Sequence, residues 1–322
     1  MKVMVTGGLG FIGHHVVQEL VAQDMDVTML DNKTNYGVIP PAELENLINL
    51  RRQTIPDLPL YTTEIQSRST VDYVVGKCQP EVIIHLASFP RQKTVEAHPD
   101  VAARTMIEGL INLLEAARSH KVRRFVFVSS SMVYGDFYDH CSESKECKPL
   151  GQYGILKLTG EQLVRDYARR SGMEYTIVRP SAVYGPRDCE DRVLAKFMAV
   201  ARRGGTLAIN GRDEALDFTY VTDAASGIVG AALSKNTVDR TYNVTRGESV
   251  TLLRAAKIIT DLTGRGSIEV RPRDESYPSR GSLNIAAARK DFGYDPKIDI
   301  QQGIENYYHW LDHTFYRSKE TV

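Results

Sequence analysis

A tyrosine and a lysine in this sequence have the spacing of a proton-transfer pair. Tyr153 and Lys157 stand four residues apart in "GQYGILKLTGEQ", so a helix would bring both side chains to one face. A free tyrosine has a pKa of roughly 10, and lowering that pKa to about 7 requires ~4 kcal/mol. One cation at ~4 Å in a partly dry site supplies energy of that order. The pair therefore predicts a base for an alcohol undergoing oxidation, although ordinary exposed helix faces also carry this spacing.

Three serine hydroxyls follow the apolar run in "FVFVSSSMVYGD", residues 125–136. Ser129, Ser130 and Ser131 stand where a buried strand would end. One interpretation is that these hydroxyls satisfy backbone groups at the strand end. The other is that they hold a substrate, and the residues alone leave both interpretations open.

The glycine-rich segment "TGGLGFIG" predicts a dinucleotide site. Gly7, Gly10 and Gly13 follow a short apolar strand and precede a helical pattern. Glycine lets the backbone approach a pyrophosphate, and the helix N-terminus offers that anion free N–H groups. Asp31 ends the next predicted strand, where a carboxylate accepts hydrogen bonds from the ribose hydroxyls and repels a 2′-phosphate. The pattern therefore favours NAD over NADP, and only the nearby Lys33 weakens that preference.

These residues are predicted to be positioned by an α/β fold. Short β-branched runs such as "KVMVTG", "DVTMLD", "EVIIHLAS" and "EYTIVRP" alternate with helical patterns over 99–119 and 152–171. Unbroken apolar strands separated by helices predict a doubly wound parallel sheet of the Rossmann type. We expect an NAD-binding domain at 1–180, with returns near 215–245 and 283–292, and a smaller α/β substrate domain mainly at 181–322. Residues 36–59 form a proline-bounded insertion that contains a helical pattern and has no predicted function.

Composition and charge exclude several classes of partner. The 322 residues carry 40 basic and 40 acidic side chains, so neither nucleic acid nor a membrane surface is an expected partner. No apolar run approaches the roughly 20 residues that span a bilayer, and no secretory signal is visible. The four cysteines lack CxxC spacing, and the adjacent His14 and His15 point in different directions on a helix. We therefore expect reduced thiols, no metal site and a cytoplasmic location.

Taken together, the motifs resemble those of one enzyme family. "TGGLGFIG", "LDN", "HLAS", "SSSMVYG", "YGILK", "RPSAVYGPR", "DFTYVTD" and "YNV" extend over almost the whole chain. They are similar to the extended short-chain dehydrogenases/reductases, specifically to the NAD-dependent sugar-nucleotide epimerase/dehydratase family that includes the UDP-glucose/galactose 4-epimerases. The resemblance implies NAD as cofactor, a nucleotide-diphosphate sugar as substrate and a homodimer. In that dimer the two long helices of each subunit would form a four-helix bundle.

The resemblance also implies roles for individual residues around NAD. Glu64 and Ile65 stand where the family holds the adenine, and Leu86, Ala87 and Ser88 stand where it lines the cofactor. The full cofactor-binding set implied for this sequence is Gly7, Gly10, Phe11, Ile12, Gly13, Asp31, Asn32, Glu64, Ile65, Leu86, Ala87, Ser88, Tyr153 and Lys157.

Within the family, the residues around Ser130 distinguish the chemistries. Ser130 stands where members bond the sugar hydroxyl that is oxidised, so the implied catalytic set is Ser130, Tyr153 and Lys157. Dehydratases carry an Asp-Glu pair at the next two positions and decarboxylases a glutamate, but this sequence has Ser131 and Met132. Neither side chain supplies the extra acid or base that elimination requires. Epimerisation, most simply at C4, is therefore predicted.

Two alternatives stay open at this point. A dehydratase or reductase could use an acid from elsewhere, such as Glu143 or Asp136. A non-catalytic NAD-binding regulator is the other, although such a protein needs no combination of Ser130, Tyr153 and Lys157.

On the substrate side the resemblance points to cations around the diphosphate. Guanidinium groups suit phosphate oxygens, and the loops that clamp the diphosphate in relatives carry arginines here. Leu216 replaces an arginine of the usual "RDFTYV" motif, so either Arg212 substitutes for it from earlier in the loop or the clamp is weaker. The substrate-binding residues implied are Lys93, Ser130, Met132, Arg187, Arg212, Arg271 and Arg273.

Overall fold

The computed structural model describes residues 1–189, 191–275 and 277–315. The strands are β1 Lys2–Thr6, β2 Asp26–Asp31, β3 Leu60–Thr62, β4 Val82–His85, β5 Arg124–Val128, β6 Glu174–Pro180, β7 Val183–Tyr184, β8 Thr206–Asn210, β9 Ala215–Leu216, β10 Thr219–Tyr220, β11 Arg240–Val244, β12 Val250–Thr251 and β13 Ser267–Arg271. The helices are α1 Phe11–Ala22, α2 Pro41–Arg52, α3 Arg68–Cys78, α4 Gln92–Ala97, α5 Pro99–Ala103, α6 Gly109–Ser119, α7 Gln152–Ser171, α8 Val193–Arg202, α9 Val221–Leu233, α10 Leu252–Thr263, α11 Ala286–Phe292 and α12 Ile300–Trp310.

Seven strands of the described ranges form one parallel sheet in the order β11-β6-β5-β4-β1-β2-β3. The strands are buried on both faces because helices cover both, which explains their unbroken apolar sequences. Helices α1 and α9 pack on one face, and α3, α6 and α7 pack on the other. This architecture confirms the predicted Rossmann-type α/β fold.

The strand order reverses at β1, which lies between β4 and β2. A crevice opens beyond the carboxyl ends of the strands at such a switch point. The glycine loop after β1, the acid that ends β2 and the serines after β5 therefore converge there. The fold thus brings together motifs that are far apart in the sequence.

A second hydrophobic core lies in the C-terminal part of the chain. It is built largely from α8, α10 and α12 around the parallel pair β8 and β13. The chain also returns to the large sheet, because β11 forms its edge next to β6. The exact boundaries of the two domains stay a prediction.

The two long helical patterns form largely as expected. The second is α7, Gln152–Ser171, ended by Gly172 in the left-handed conformation. The first is α5 and α6 joined by a π-helical turn at Arg104–Glu108, so it is not a regular α-helix throughout. Short 3-10 turns occur at Ser131–Tyr134 and Lys235–Thr237, and a second π-helical turn at Leu311–Phe315.

No helix in these described ranges is long and apolar enough to cross a membrane. The same ranges contain no group of three or more His, Cys, Asp or Glu side chains arranged to hold a metal ion. The cytoplasmic location stays a prediction.

Candidate active site

One cavity of about 430 Å³ lies at the carboxyl ends of β1, β2, β4, β5 and β6. Most of the residues predicted for the cofactor, the three predicted for catalysis, and Met132 of the predicted substrate residues line this cavity. They are Gly7, Gly10, Phe11, Ile12, Gly13, Asp31, Asn32, Ile65, Leu86, Ala87, Ser88, Ser130, Met132, Tyr153 and Lys157. Glu64 is exposed and does not line the cavity, but its carboxylate accepts a hydrogen bond from the amide of the lining residue Asn32 at 2.9 Å.

The glycine loop has no room for side chains. Gly7 has φ +72°, and a Cβ there would lie 2.8 Å from the backbone nitrogen of Ala87. A Cβ on Gly13 would lie 2.0 Å from the carbonyl oxygen of Gly7. Helix α1 begins at Phe11 directly after the loop, so its first N–H groups have no partner within the helix. This cradle fits the pyrophosphate of a dinucleotide.

Asp31 lies at the end of β2 and is 8% exposed. Burial raises the pKa of its carboxyl, and hydrogen bonds from the backbone N–H groups of Lys33 and Leu9 oppose that rise. These bonds are 2.7 Å and 2.9 Å long. A carboxylate has about four acceptor positions, so Asp31 can still accept bonds from ribose hydroxyls.

Ser130, Tyr153 and Lys157 line the same wall of the cavity. Ser130 precedes the 3-10 turn after β5, and its hydroxyl accepts a bond from the Met132 N–H at 3.2 Å. The Lys157 Nζ donates to the carbonyl oxygen of Val128 at 2.8 Å and lies 5.9 Å from the centre of the Tyr153 ring. The tyrosine and lysine are therefore on one face of α7, as their spacing predicts.

The electrostatics of the pair differ from the sequence-based argument. Burial raises the pKa of Tyr153, and the charge of Arg192 and a hydrogen bond with Ser130 only partly oppose it. Burial also lowers the pKa of Lys157 to about 8, against the charge of Glu161. Lys157 is not among the groups that lower the pKa of Tyr153, so its expected role as activator of the tyrosine stays a prediction. The Lys157 ammonium is instead directed at the carbonyl oxygen of Val128.

A buried ion pair supports this wall from behind. Glu161 stands one turn after Lys157, is completely buried, and accepts two bonds from Arg179 at 2.8 Å and 2.6 Å. The Ser129 hydroxyl donates to the same carboxylate at 2.7 Å. The strand end that carries Ser130 is thereby fixed to helix α7. The Ser129 hydroxyl therefore has a structural bond to Glu161, while the Ser130 hydroxyl both accepts a backbone N–H, as the structural interpretation predicts, and lines the cavity, so both interpretations stay open for Ser130.

The far end of the cavity is lined by side chains that the sequence did not single out as site residues. Arg280 lies beside Met132, with 3.8 Å between Nη1 and Sδ, and its buried Nε has no hydrogen-bond partner among the described residues. Burial lowers the pKa of Arg280 to about 10. Arg192 and Tyr277 also line this end. No spacing or motif marks these three residues as a group, because Tyr277 and Arg280 lie in the loop after β13 while Arg192 directly precedes α8.

The predicted substrate cations lie mostly elsewhere. Arg187, Arg212, Arg271, Arg273 and Lys93 do not line the cavity. Arg212 is exposed, and Arg271 is exposed and paired with Glu269 at 2.7 Å. Both side chains are exposed to solvent and neither lines the cavity.

Two of these cations contact residues of the cavity wall. Arg273 pairs with Glu214 at 2.6 Å and donates to the carbonyl oxygen of Tyr277 at 2.8 Å. The Lys93 Nζ lies 5.9 Å from the centre of the Tyr277 ring. They therefore position a wall residue. Arg91, in the same loop as Lys93, does line the cavity and pairs with Asp191.

Comparisons with known proteins agree with this geometry. Residues 3–245 match the model of the "NAD dependent epimerase/dehydratase family". A Bacillus subtilis protein named an uncharacterized UDP-glucose epimerase is 31% identical, over 95% of this chain and 96% of its own. A putative UDP-glucose 4-epimerase of Methanocaldococcus jannaschii is also 31% identical, over 96% and 98%. The structure of UDP-glucuronic acid 4-epimerase from Bacillus cereus, in complex with UDP-glucuronic acid and NAD, is 26% identical, with a TM-score of 0.88 over 97% and 99%.

Proposed function

The chain belongs to the NAD-dependent epimerase/dehydratase family, and on that premise we propose that it is an NAD-dependent nucleotide-sugar epimerase acting at C4. The observation that carries the proposal is a single cavity lined by a glycine loop, by Ser130 and by the pair Tyr153 and Lys157. UDP is the nucleotide in the names of the similar proteins, and we propose it for this substrate too.

NAD fits the near end of the cavity. The glycine loop and the start of α1 would hold its pyrophosphate, and Asp31 would hold the adenosine ribose. Ile65, Leu86, Ala87 and Ser88 would line its remaining length. When bound, NAD would accept a hydride from the sugar carbon and return it to the opposite face, and its positive ring would favour the tyrosinate.

The protein's own residues would transfer the proton of the sugar hydroxyl. Ser130 lies close enough to Tyr153 for a hydrogen bond, so a sugar hydroxyl between them would be oriented by both. Tyr153 would take the hydroxyl proton during oxidation and give it back during reduction. Lys157 is held at Val128, where it keeps positive charge beside this shuttle and would reach the nicotinamide ribose. The chain thus needs only one acid–base group that changes protonation state.

The residues next to Ser130 favour epimerisation over elimination. The Ser131 hydroxyl donates to the Ser181 hydroxyl at 3.1 Å, and Met132 carries a thioether. Glu143 and Asp136, the acids considered for a dehydratase, do not line the cavity. The Glu143 carboxylate instead accepts a bond from the Asn243 N–H at 2.8 Å, and Asp136 accepts one from Ser279.

The test is to incubate the purified protein, without added NAD, with UDP-glucose, UDP-galactose and UDP-glucuronic acid. Mass-resolved chromatography then follows the products. A new peak of unchanged mass is the expected result. A product lighter by one water or one carbon dioxide would contradict epimerisation. Turnover of none of these or of GDP-, CDP- and dTDP-sugars, with NAD bound, would favour the non-catalytic regulator.

We also propose a homodimer through the exposed sides of α6 and α7. The family resemblance implies that the two long helices form the subunit contact, and Ile155 on α7, which is 49% exposed, would be covered there. Light scattering coupled to gel filtration tests the proposal, because a mass of one chain would overturn it. Ile155→Glu should shift a dimer towards the monomer.

A further inference from the structure

Helix α2 lies in the insertion at residues 36–59, for which the sequence indicated no function. It packs against both hydrophobic cores. Leu47 is fully buried in the C-terminal core, while the next residue, Ile48, packs against the core of the large sheet. Leu44, Ile48 and Arg51 of the same helix line the cavity. Helix α2 thus connects the cofactor half, which is built on the large sheet, with the substrate half, which is built on the C-terminal core.

Arg51, in the last turn of α2, joins two loops through their carbonyl groups. Its side chain is buried, with 6% of the residue exposed. Nη1 donates to the carbonyl oxygen of Leu9 at 3.0 Å, and Nη2 and Nε donate to that of Arg187 at 2.8 Å and 3.2 Å. A buried guanidinium is costly unless it is bonded in this way, so its geometry is well determined.

The Leu9 contact connects Arg51 to the cofactor loop. Leu9 lies between Gly7 and Gly10, and its N–H donates to the Asp31 carboxylate at 2.9 Å. Leu9 therefore donates to Asp31, the acid expected to hold the ribose, and its carbonyl oxygen accepts from Arg51. A change in the loop or in the hydrogen bonding of Asp31 would alter the Arg51 contact directly.

The Arg187 contact connects Arg51 to the substrate half. Arg187 has φ +68°, a left-handed conformation that is strained for a residue other than glycine. The next two residues, Asp188 and Cys189, line the cavity. Asp188 lies 3.0 Å from the Nε of Arg192, and the Cys189 sulfur accepts a bond from an Arg91 Nη. The orientation of the Arg187 peptide therefore sets where this wall of the cavity lies.

We propose that Arg51 is a positioning residue that couples the cofactor loop to the substrate wall, so that bound NAD strengthens nucleotide binding and bound nucleotide retains NAD. The inference rests on the proposed function, because it takes NAD and a UDP-sugar as the ligands of the cavity. It assigns a role to the insertion: the helix carries Arg51 to the junction of the two halves.

The experiment measures UDP affinity by calorimetry in NAD-loaded and NAD-depleted protein. The ratio of the two affinities is the coupling factor, which by linkage is the same for both ligands. We expect the wild type to bind UDP at least ~5-fold more tightly with NAD, within the usual range for coupled sites. In Arg51→Met the factor should fall towards one, and Arg51→Lys, which keeps the charge and some donors, should recover part of it.

Arg52→Met is the matched control, because Arg52 is the next residue of α2 and is exposed. The Arg52→Met variant should have the same coupling factor as the wild type. If Arg51→Met does not fold, Arg51→Gln replaces it, since the shorter carboxamide offers the two donors of one nitrogen in place of the three nitrogens that Arg51 uses. A wild-type factor in the folded Arg51 variant, or a factor of one in the wild type with both ligands bound, overturns the coupling. Failure of the wild type to bind either ligand would instead overturn the proposed function.

Discussion

The two ends of the cavity are built in different ways. The cofactor end uses backbone groups of one short loop, together with an acid at the end of the neighbouring strand. The far end, which we propose as the sugar end, uses long side chains, Arg91, Arg192 and Arg280, from three separate segments. Backbone recognition requires a local sequence with glycine at fixed positions, whereas side-chain recognition only requires that distant segments meet. This difference explains why one end could be predicted residue by residue and the other could not.

The catalytic wall lies between these two ends and gives the largest expected effect. Tyr153→Phe removes the only hydroxyl that can exchange the proton with the substrate in the proposed mechanism. We expect turnover to fall by roughly 10²- to 10⁴-fold, the usual contribution of general acid–base catalysis. NAD content should not change, since the cofactor end is intact. Tyr73→Phe, at an exposed site on α3, is the control, and turnover above a tenth of wild type would contradict the assignment.

The buried Lys157 in this wall should also lower the free energy of unfolding of the protein at neutral pH. Burial lowers the pKa of Lys157 from 10.5 to about 8, so between these values the unfolded chain binds a proton that the folded chain does not. The cost, about 3 kcal/mol, is present below pH 8 and disappears as the pH rises towards 10.5. The free energy of unfolding of the wild type relative to Lys157→Met should therefore increase across this interval. Denaturant titrations at several pH values measure it, with the exposed Lys257→Met as control, and a constant difference would contradict the prediction.

At the cofactor end, Asp31→Asn should weaken NAD binding by about 1.5–3 kcal/mol, or roughly 10- to 100-fold, because hydrogen bonds to a charged acceptor are lost. UDP affinity in protein saturated with NAD should change much less. Calorimetry with NAD measures the effect. Asp26→Asn is a matched control, since Asp26 is exposed at the opposite end of the same strand. Equal NAD affinities in the two variants would remove Asp31 from the cofactor site.

At the sugar end, the sequence and the structure point to different arginines. Arg280→Gln should weaken UDP-glucose binding about 10-fold, as expected for loss of a buried charged donor. Arg271→Gln should have little effect, because that side chain is exposed and paired with Glu269. NAD affinity should stay the same in both. Substrate titrations decide the matter, and a larger effect from Arg271 would restore the sequence-based assignment.

Most of the fold could be predicted because its signals are local. Unbroken apolar strands such as "EVIIHL" occur only where helices cover both faces, and Gly172 marks the end of α7. The π-helical turn at residues 104–108 was not predicted. Residues 104–108 contain neither glycine nor proline, so no local signal marks a departure from the α-helix there.

The sequence by itself determined the Rossmann sheet, the glycine loop, Asp31 and the pair Tyr153 and Lys157. Each of these depends on a spacing of a few residues along one strand or helix. Only the tertiary structure decided that Arg280 faces Met132 while Arg271 faces solvent, and that Arg51 lies between Leu9 and Arg187. An arginine side chain is long and compatible with both surface and interior. Its role is therefore set by which distant segments meet around it, and no local pattern encodes that.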